Sequence, residues 1–291
     1  MGAAVIEQLS PDSGPHCWAL ALGGTRRAYL AQGGQLADRA DLEAYFTWLE
    51  AAQLALLDRL YARGVQTIIT VGRVPADRGQ DYSTFARRAL EAVIASPARR
   101  AFYQRRGLQV SLAGDLAALE QRVAAPGLAA RAAELCQATA NGSSGKLIYL
   151  FRGDWLDAAE EAQWGVQVAQ RLGHMPTRDE LVQAFYGREL PPLSVYIGSG
   201  RPQIGLLRPP FLSEQEDCYW AANCPLRLDE AGWDQLIVDH QQARRTHSAR
   251  TYPSDPASRA ALAKALAQAD GQILGVGQRH ALGFWMPTAH L

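Results

Sequence analysis

The chain has 291 residues, enough for one large α/β domain or two small ones with a substantial buried core. Its 29 basic residues balance 29 acidic ones, so no global field gathers nucleic acid or an anionic membrane surface, and no nucleic-acid partner is expected. The apolar fraction of 48% is ordinary for a soluble domain, and no stretch reaches the ~18 uninterrupted apolar residues of a membrane span.

Residues 1–14 are expected to form an N-terminal tail. They lack a basic n-region and carry Glu7 and Asp12, so they do not read as a signal peptide, and a cytoplasmic location is expected. Cys17, Cys136, Cys218 and Cys224 show no CxxC spacing, and the six histidines form no HxxxH pair. Reduced thiols are therefore expected, with no His- or Cys-bound metal.

The first apolar run, 17–22, predicts a buried strand, and it ends in Gly23-Gly24-Thr25-Arg26-Arg27. A strand closing in a glycine-rich turn with two arginines sets backbone N–H groups and cations at one spot, which suits a phosphate or diphosphate. Solvated arginines on an ordinary turn are the plain alternative.

Residues 37–63 then carry apolar positions at helical spacing and stop at Gly64. Further strands are expected at 66–72, 108–113, 146–151, 193–198 and 217–221, several almost wholly apolar, as parallel strands covered on both faces must be. Ser96-Pro97 and the capping box Thr177-Arg178-Asp179-Glu180 open helices, the second closing at Gly187. Asp229 starts a helix reaching about His247, Asp255-Pro256 starts the last, ending at Gly271, and Ile273 to Gly277 reads as an edge strand. This alternation predicts an α/β fold: a single doubly wound, mainly parallel sheet of about six strands flanked by helices, with the site at the strands' C-terminal ends. The Pro-rich stretch 201–210 reads as one long loop at such an end.

Several segments, in order, resemble the cis-prenyltransferase (undecaprenyl diphosphate synthase) family. Gly107 to Leu116 resembles its strand followed by Gly-Asp-Leu, and Lys146 to Asp154 its Leu-Asn-Tyr-Gly-Gly-Arg strand end. Gly198-Ser199-Gly200 resembles its Thr-Ser-Gly turn, Asp217-Cys218-Tyr219-Trp220 its Glu-Leu-Tyr-Phe strand, and Asp239 to Arg245 its final helix. The resemblance implies one domain over 15–248, with 249–291 a helix and strand extension packing on it. Homodimers are what it implies for assembly.

A closer likeness is to the branch of that fold containing tuberculosinyl adenosine transferase and kolavelool synthase. Gly24-Thr25-Arg26-Arg27, Asp77-Arg78-Gly79 with Tyr82, Met175 to Glu180, Phe185-Tyr186-Gly187 and Tyr196 to Arg201 carry it, and Gly275-Val276-Gly277 with His280 extends it to the C-terminus. The resemblance implies a diterpene synthase that ionises a bicyclic C20 allylic diphosphate and lets water capture the cation as an alcohol. Transfer of the diterpenyl group to a nucleoside such as adenosine, or a non-catalytic subunit partnering a prenyltransferase, stay open beside it.

On this reading Gly24, Thr25, Arg26, Arg27 and Arg201 bind the diphosphate, with Arg27 and Tyr45 in the chemistry and Tyr82 and Phe85 lining a hydrophobic pocket. Chain elongation is not expected, because Ile197 and Gln203 stand where the family keeps two arginines for isopentenyl diphosphate, and an uncharged site holds a diphosphate weakly. Glycine at 23 replaces the family's Mg²⁺-binding aspartate. Asp217 falls where elongating enzymes keep a metal-binding glutamate, so Mg²⁺ is still a candidate cofactor through it, with Asp77 and Asp81 as further ligands. Three outcomes follow from Gly23: the metal ligand has moved, the arginines carry the leaving group alone, or catalysis is lost.

Overall fold

A computed structural model describes residues 9, 16–73, 79–152, 158–203, 207–213, 215–244, 255–269, 275–281 and 285–287. β1 (Cys17–Leu20) is followed by α1 (Thr25–Leu30), α2 (Arg39–Ala62), β2 (Thr67–Arg73), α3 (Gly79–Ala95), α4 (Pro97–Arg106) and β3 (Leu108–Ala113). Then come α5 (Leu116–Arg122), α6 (Leu128–Ala138), β4 (Gly145–Arg152), α7 (Ala158–Leu172), α8 (Arg178–Tyr186), β5 (Val195–Ser199) and β6 (Asp217–Ala221). The described chain closes with α9 (Glu230–Val238), a π-helical turn over Asp239–Ala243, α10 (Pro256–Ala269) and the hairpin of β7 (Gly277–Arg279) and β8 (Trp285–Pro287).

The first six strands form one sheet in the order β3-β4-β2-β1-β5-β6, and every pairing is parallel. The expected α/β class, strand number and direction all hold. Alternation at period two sends Trp18 and Leu20 to one face with Ile68, Val110, Leu147 and Ile197, where α2, α3, α4 and α9 add Leu57, Leu90, Phe102 and Trp233. Cys17, Ala19, Ile69, Ile148 and Tyr196 face the other way, onto Val182 and Tyr186 of α8 and onto Leu212. Burial at each large apolar position contributes about 1.5–3 kcal/mol. All four cysteines are free, and burial pushes the Cys17 thiol up to about 12, so it stays protonated.

Helix ends follow the side chains that satisfy them. Asp38 accepts from the Asp41 amide at 2.9 Å, Ser96 from Arg99 at 3.4 Å and Asp229 from Gly232 at 2.8 Å. At α8 the reciprocal capping box is complete, with the Thr177 amide donating to Glu180 Oε2 at 2.7 Å, and Gly187 ends the helix at φ 70°. Thr177→Ala is expected to destabilise the protein by about 0.5–2 kcal/mol, read as a lower urea midpoint at unchanged slope.

Three expectations are corrected. β1 stops at Leu20, because the chain turns back after Ala21, with the Gly23 amide bonding Ala21 O at 2.8 Å. The helix opened by Asp229 is α-helical only to Val238 and widens into the π turn; residues 245–247 lie outside the described ones. The C-terminal strand begins at Gly277 and pairs antiparallel with Trp285–Pro287, so it is no edge of the main sheet. Within the C-terminal stretch, Gly275 lies close to the Pro202 ring, while α10 is exposed wherever its side chains are described. Among the described residues no helix is long and apolar enough to cross a membrane.

Candidate active site

β1 sends its connection toward β2 on one side of the sheet, and β5 sends its own toward β6 on the other. The connections leaving their C-terminal ends therefore diverge at a topological switch point, the place where open α/β sheets hold ligands. Two turns meet there, Gly23-Gly24 after β1 and the one that Gly200 opens from Ser199, the last residue of β5. Gly24 needs to be glycine on two counts: its φ is 74°, and a Cβ would sit 2.5 Å from Asn223 O. Its own carbonyl accepts the Ala28 amide at 2.9 Å and so starts α1.

Arg27 is exposed and folds back over this turn. Its Nη2 lies 3.2 Å from the place of a Gly24 Cβ and 4.0 Å from that of a Gly200 Cβ, so one guanidinium edge spans both turns. Thr25 Oγ1 and the fully buried Tyr45 hydroxyl are 2.7 Å apart, which ties α1 to α2. Arg26 takes another course: its guanidinium lies over the Phe85 ring at 4.4 Å, a cation–π contact that places it on the cavity wall. Phe85 stacks in turn on Phe46 at 4.9 Å and Tyr45 at 5.8 Å, and Tyr29 meets Tyr45 edge-on at 5.4 Å.

Behind the turn opens a cavity of about 490 Å³, walled by residues 21–27, Tyr45, Leu49, Gln53, Val71, Gly72, Phe85, Ala86, Ala89, Leu90, Phe151 and Leu207. None of these described wall residues is acidic. A second, inner cavity of about 170 Å³ shares Leu22, Leu49, Gln53, Val71 and Phe151 with it and leads to Glu50, Arg99 and Tyr149. The inner cavity has a polar floor. Arg99, 3% exposed, donates to Glu50 Oε1 at 3.1 Å, to Tyr149 Oη at 2.9 Å and to Gln53 Oε1 at 2.5 Å.

The structure thus brings Gly24, Thr25, Arg26, Arg27, Tyr45 and Phe85 around one cavity. Arg201 lies at the same end of the sheet just beyond β5, exposed and bonded to Gln203, outside the described cavity wall. Tyr82 and Asp81 belong to α3, but their side chains, like the whole Asp77-Arg78 turn, lie outside the described residues. Ile197 is fully buried in β5.

Asp217, the expected metal ligand, lies outside the described wall of this cavity. Asp217 opens β6 in register with Val195 and hence with Trp18, at the N-terminal ends of the strands and away from the Gly23 turn. There its Oδ2 lies 2.6 Å from His240 Nδ1 and its Oδ1 3.9 Å from Arg244 Nη1. The neighbouring Asp239 accepts from Arg244 Nε at 2.6 Å and from the Tyr219 hydroxyl at 2.7 Å. Burial would raise the Asp239 carboxyl, but those hydrogen bonds outweigh it and hold the group below its usual range. This is an ion-pair cluster joining β6 to the chain after α9.

The floor residues Glu50, Gln53, Arg99 and Tyr149 belong to none of the motifs read from the sequence, and Ser199 is marked there only by the Thr-Ser-Gly likeness of its turn. The available signal was on α2, where Tyr45, Leu49, Gln53 and Leu56 recur at helical spacing, so that a glutamine sits in an inward stripe.

Superposition on solved structures identifies the architecture. Lavandulyl diphosphate synthase from Lavandula x intermedia, solved in complex with dimethylallyl diphosphate, matches with a TM-score of 0.55 over 79% of this chain and 96% of that one, at 12% identity. A probable undecaprenyl diphosphate synthase from Campylobacter jejuni matches with a TM-score of 0.52 over the same shares, at 11% identity. The fold is that of the cis-prenyltransferases. No protein-family model matches the sequence. At the sequence level the chain is 33% identical over 135 residues to (+)-kolavelool synthase of Herpetosiphon aurantiacus. That stretch takes in 44% of this chain and 44% of the relative's length. On the cis-prenyltransferase scaffold, then, this chain sets a cationic turn at the strand ends beside an aromatic-walled cavity, and a second cavity that shares part of that wall carries a charged floor.

Proposed function

We propose that this protein is a terpene synthase acting on a bicyclic C20 allylic diphosphate of the kolavenyl or tuberculosinyl type. The observation that carries the reading is the direct opening of the Gly24–Arg27 turn onto an apolar, aromatic-walled cavity. Its volume of about 490 Å³ lies within the ~300–1,000 Å³ usual for small-molecule sites. A subunit that binds no substrate has no use for such a chamber.

In the proposed reaction the allylic C–O bond breaks heterolytically and its electron pair leaves with the diphosphate. Arg27 takes up the charge that concentrates on the leaving oxygens, a contact that strengthens as the bond breaks. The cation left behind lies against aromatic walls in a cavity lined mainly by apolar side chains. Water adds to it, and the surplus proton goes to the departed diphosphate, giving an alcohol. The family's Mg²⁺ does not fit the described residues here, because residue 23 has no side chain, Asp217 lies at the other end of the strands, and no described wall residue is acidic. No step is therefore routed through a metal ion.

The test is diphosphate release and product identity from C15 and C20 allylic diphosphates, linear and bicyclic, with labelled isopentenyl diphosphate added to parallel reactions. A diterpene alcohol from the bicyclic C20 substrate is expected, with no label incorporated, since Ile197 is buried and Gln203 is uncharged. Extended labelled products at the rate of diphosphate release would overturn the reading. A diterpenyl adduct of added adenosine would replace water as the acceptor.

A further inference from the structure

Gly23 differs from its neighbour in what makes it glycine. Gly24 has a positive φ that disfavours any other residue, whereas the backbone of Gly23 lies outside that region and would accept a side chain. What fills the space is Ser199: a Cβ on residue 23 would sit 2.2 Å from Ser199 Oγ, well inside contact distance, yet 3.5 Å from Ser199 Cβ, an ordinary contact. The serine hydroxyl thus stands where a side chain at position 23 would begin. No described residue bonds that hydroxyl, and it lies in the Ser199-Gly200 turn that the Arg27 guanidinium approaches.

We infer that the Ser199 hydroxyl is a direct hydrogen-bond donor to the substrate diphosphate, occupying the place of the family's metal-binding aspartate, so that a donor and the Arg27 guanidinium do together what a carboxylate and Mg²⁺ do elsewhere. The exchange is chemically coherent. A carboxylate at position 23 repels a diphosphate unless a cation stands between them, and a hydroxyl does not. A metal-bridged site needs one or two protein carboxylates to localise the ion. Removing the carboxylate leaves room for a donor to meet the phosphate oxygens directly. Gly23 and Ser199 are thereby one coupled substitution: an aspartate at 23 would force the serine to another rotamer, and the serine in its present rotamer excludes the aspartate. The inference rests on the allylic-diphosphate reading above and names how that site holds its anion.

Calorimetric titration with inorganic diphosphate tests it without turnover. Wild type, Ser199→Ala and Gly23→Asp/Ser199→Ala are compared in EDTA and in excess Mg²⁺, with thermal midpoints confirming that each is folded. Ser199→Ala removes one oxygen and keeps the 3.5 Å contact, so the double variant has room for its carboxylate. Wild type is expected to bind in EDTA. Ser199→Ala should bind about tenfold or more weakly there, the loss of one hydrogen bond to a charged acceptor. The double variant should bind measurably only with Mg²⁺. Wild-type affinity in Ser199→Ala, or wild-type binding that requires Mg²⁺, would overturn the inference and leave the diphosphate site standing. Absence of diphosphate binding by folded wild type in both conditions would instead overturn the diphosphate reading, and this inference with it.

Discussion

Replacing Arg27 with alanine is expected to lower kcat for the allylic diphosphate by about 10²–10³, the loss typical of removing one preorganised donor to a developing anion. The Arg27 Nη2 lies near both the Gly24 and Gly200 turns, so on the proposed reading its charge stands beside the leaving group before reaction begins. Its strength rises as negative charge concentrates on the diphosphate, and the effect should therefore fall mainly on kcat rather than KM. Stability should barely change, because Arg27 is exposed and fills no core space. Arg27→Lys should recover only part of the rate, since an ammonium offers a point charge in place of a planar fork. Steady-state kinetics with a thermal midpoint for each variant check this, and a folded alanine variant with wild-type kcat would remove Arg27 from the chemistry.

The parts of this site that could be read from the chain are those with local signatures. A strand running into Gly-Gly-Thr-Arg-Arg announces itself, because the buried run, the turn and the charges are contiguous. Tyr45, on the long helix after that turn, was legible through the likeness to the diterpene branch, and Phe85 as an aromatic opening the helix after the second strand. Ser199 was not, although the Thr-Ser-Gly likeness marked its turn. Its place comes from the approach of two strand ends far apart in sequence: Gly23 stood out as the missing aspartate of the resembling family, but only the fold puts the Ser199 hydroxyl beside it. Asp217 shows the converse. Motif position suggested a ligand, but strand register decides which end of the sheet a residue occupies, and register put it beside His240. Arg99 failed for a third reason. On the chain it is one of two adjacent arginines in a strongly basic helix, which reads as a solvated face, yet α4 packs so that Arg99 turns inward to α2 while Arg105 stays exposed.

That inward arginine supports the other large expected effect, which is on stability. Arg99 is 3% exposed and its partner Glu50 is 24% exposed at the side chain, at 3.1 Å. Burial works against the arginine's charge, but the phenolic oxygens of Tyr149 and Tyr103 and the Glu50 carboxylate more than offset it, so its pKa lies above the ordinary value. Tyr103 extends the network, meeting Tyr149 Oη at 2.9 Å and donating to Val93 O at 3.1 Å, and burial keeps its phenol protonated. Arg99→Leu strands the Glu50 carboxylate, the Gln53 amide oxygen and a phenol without their donor, and is expected to cost about 3–5 kcal/mol. Replacing both charges, in Glu50→Leu/Arg99→Leu, should recover most of that, because an apolar pair removes the unpaired charge along with the desolvation cost. Denaturant midpoints for the two variants measure the difference, and a single variant as stable as wild type would mean that the cluster carries no buried charge pair. The same pair of variants probes the cavity. With the charge pair replaced by hydrocarbon, the floor keeps only the uncharged polar groups of Gln53, Thr70 and Tyr149, and on the proposed reading the double variant should be more active than wild type toward longer prenyl diphosphates. In wild type such a tail would have to rest on a guanidinium and a carboxylate without hydrating either.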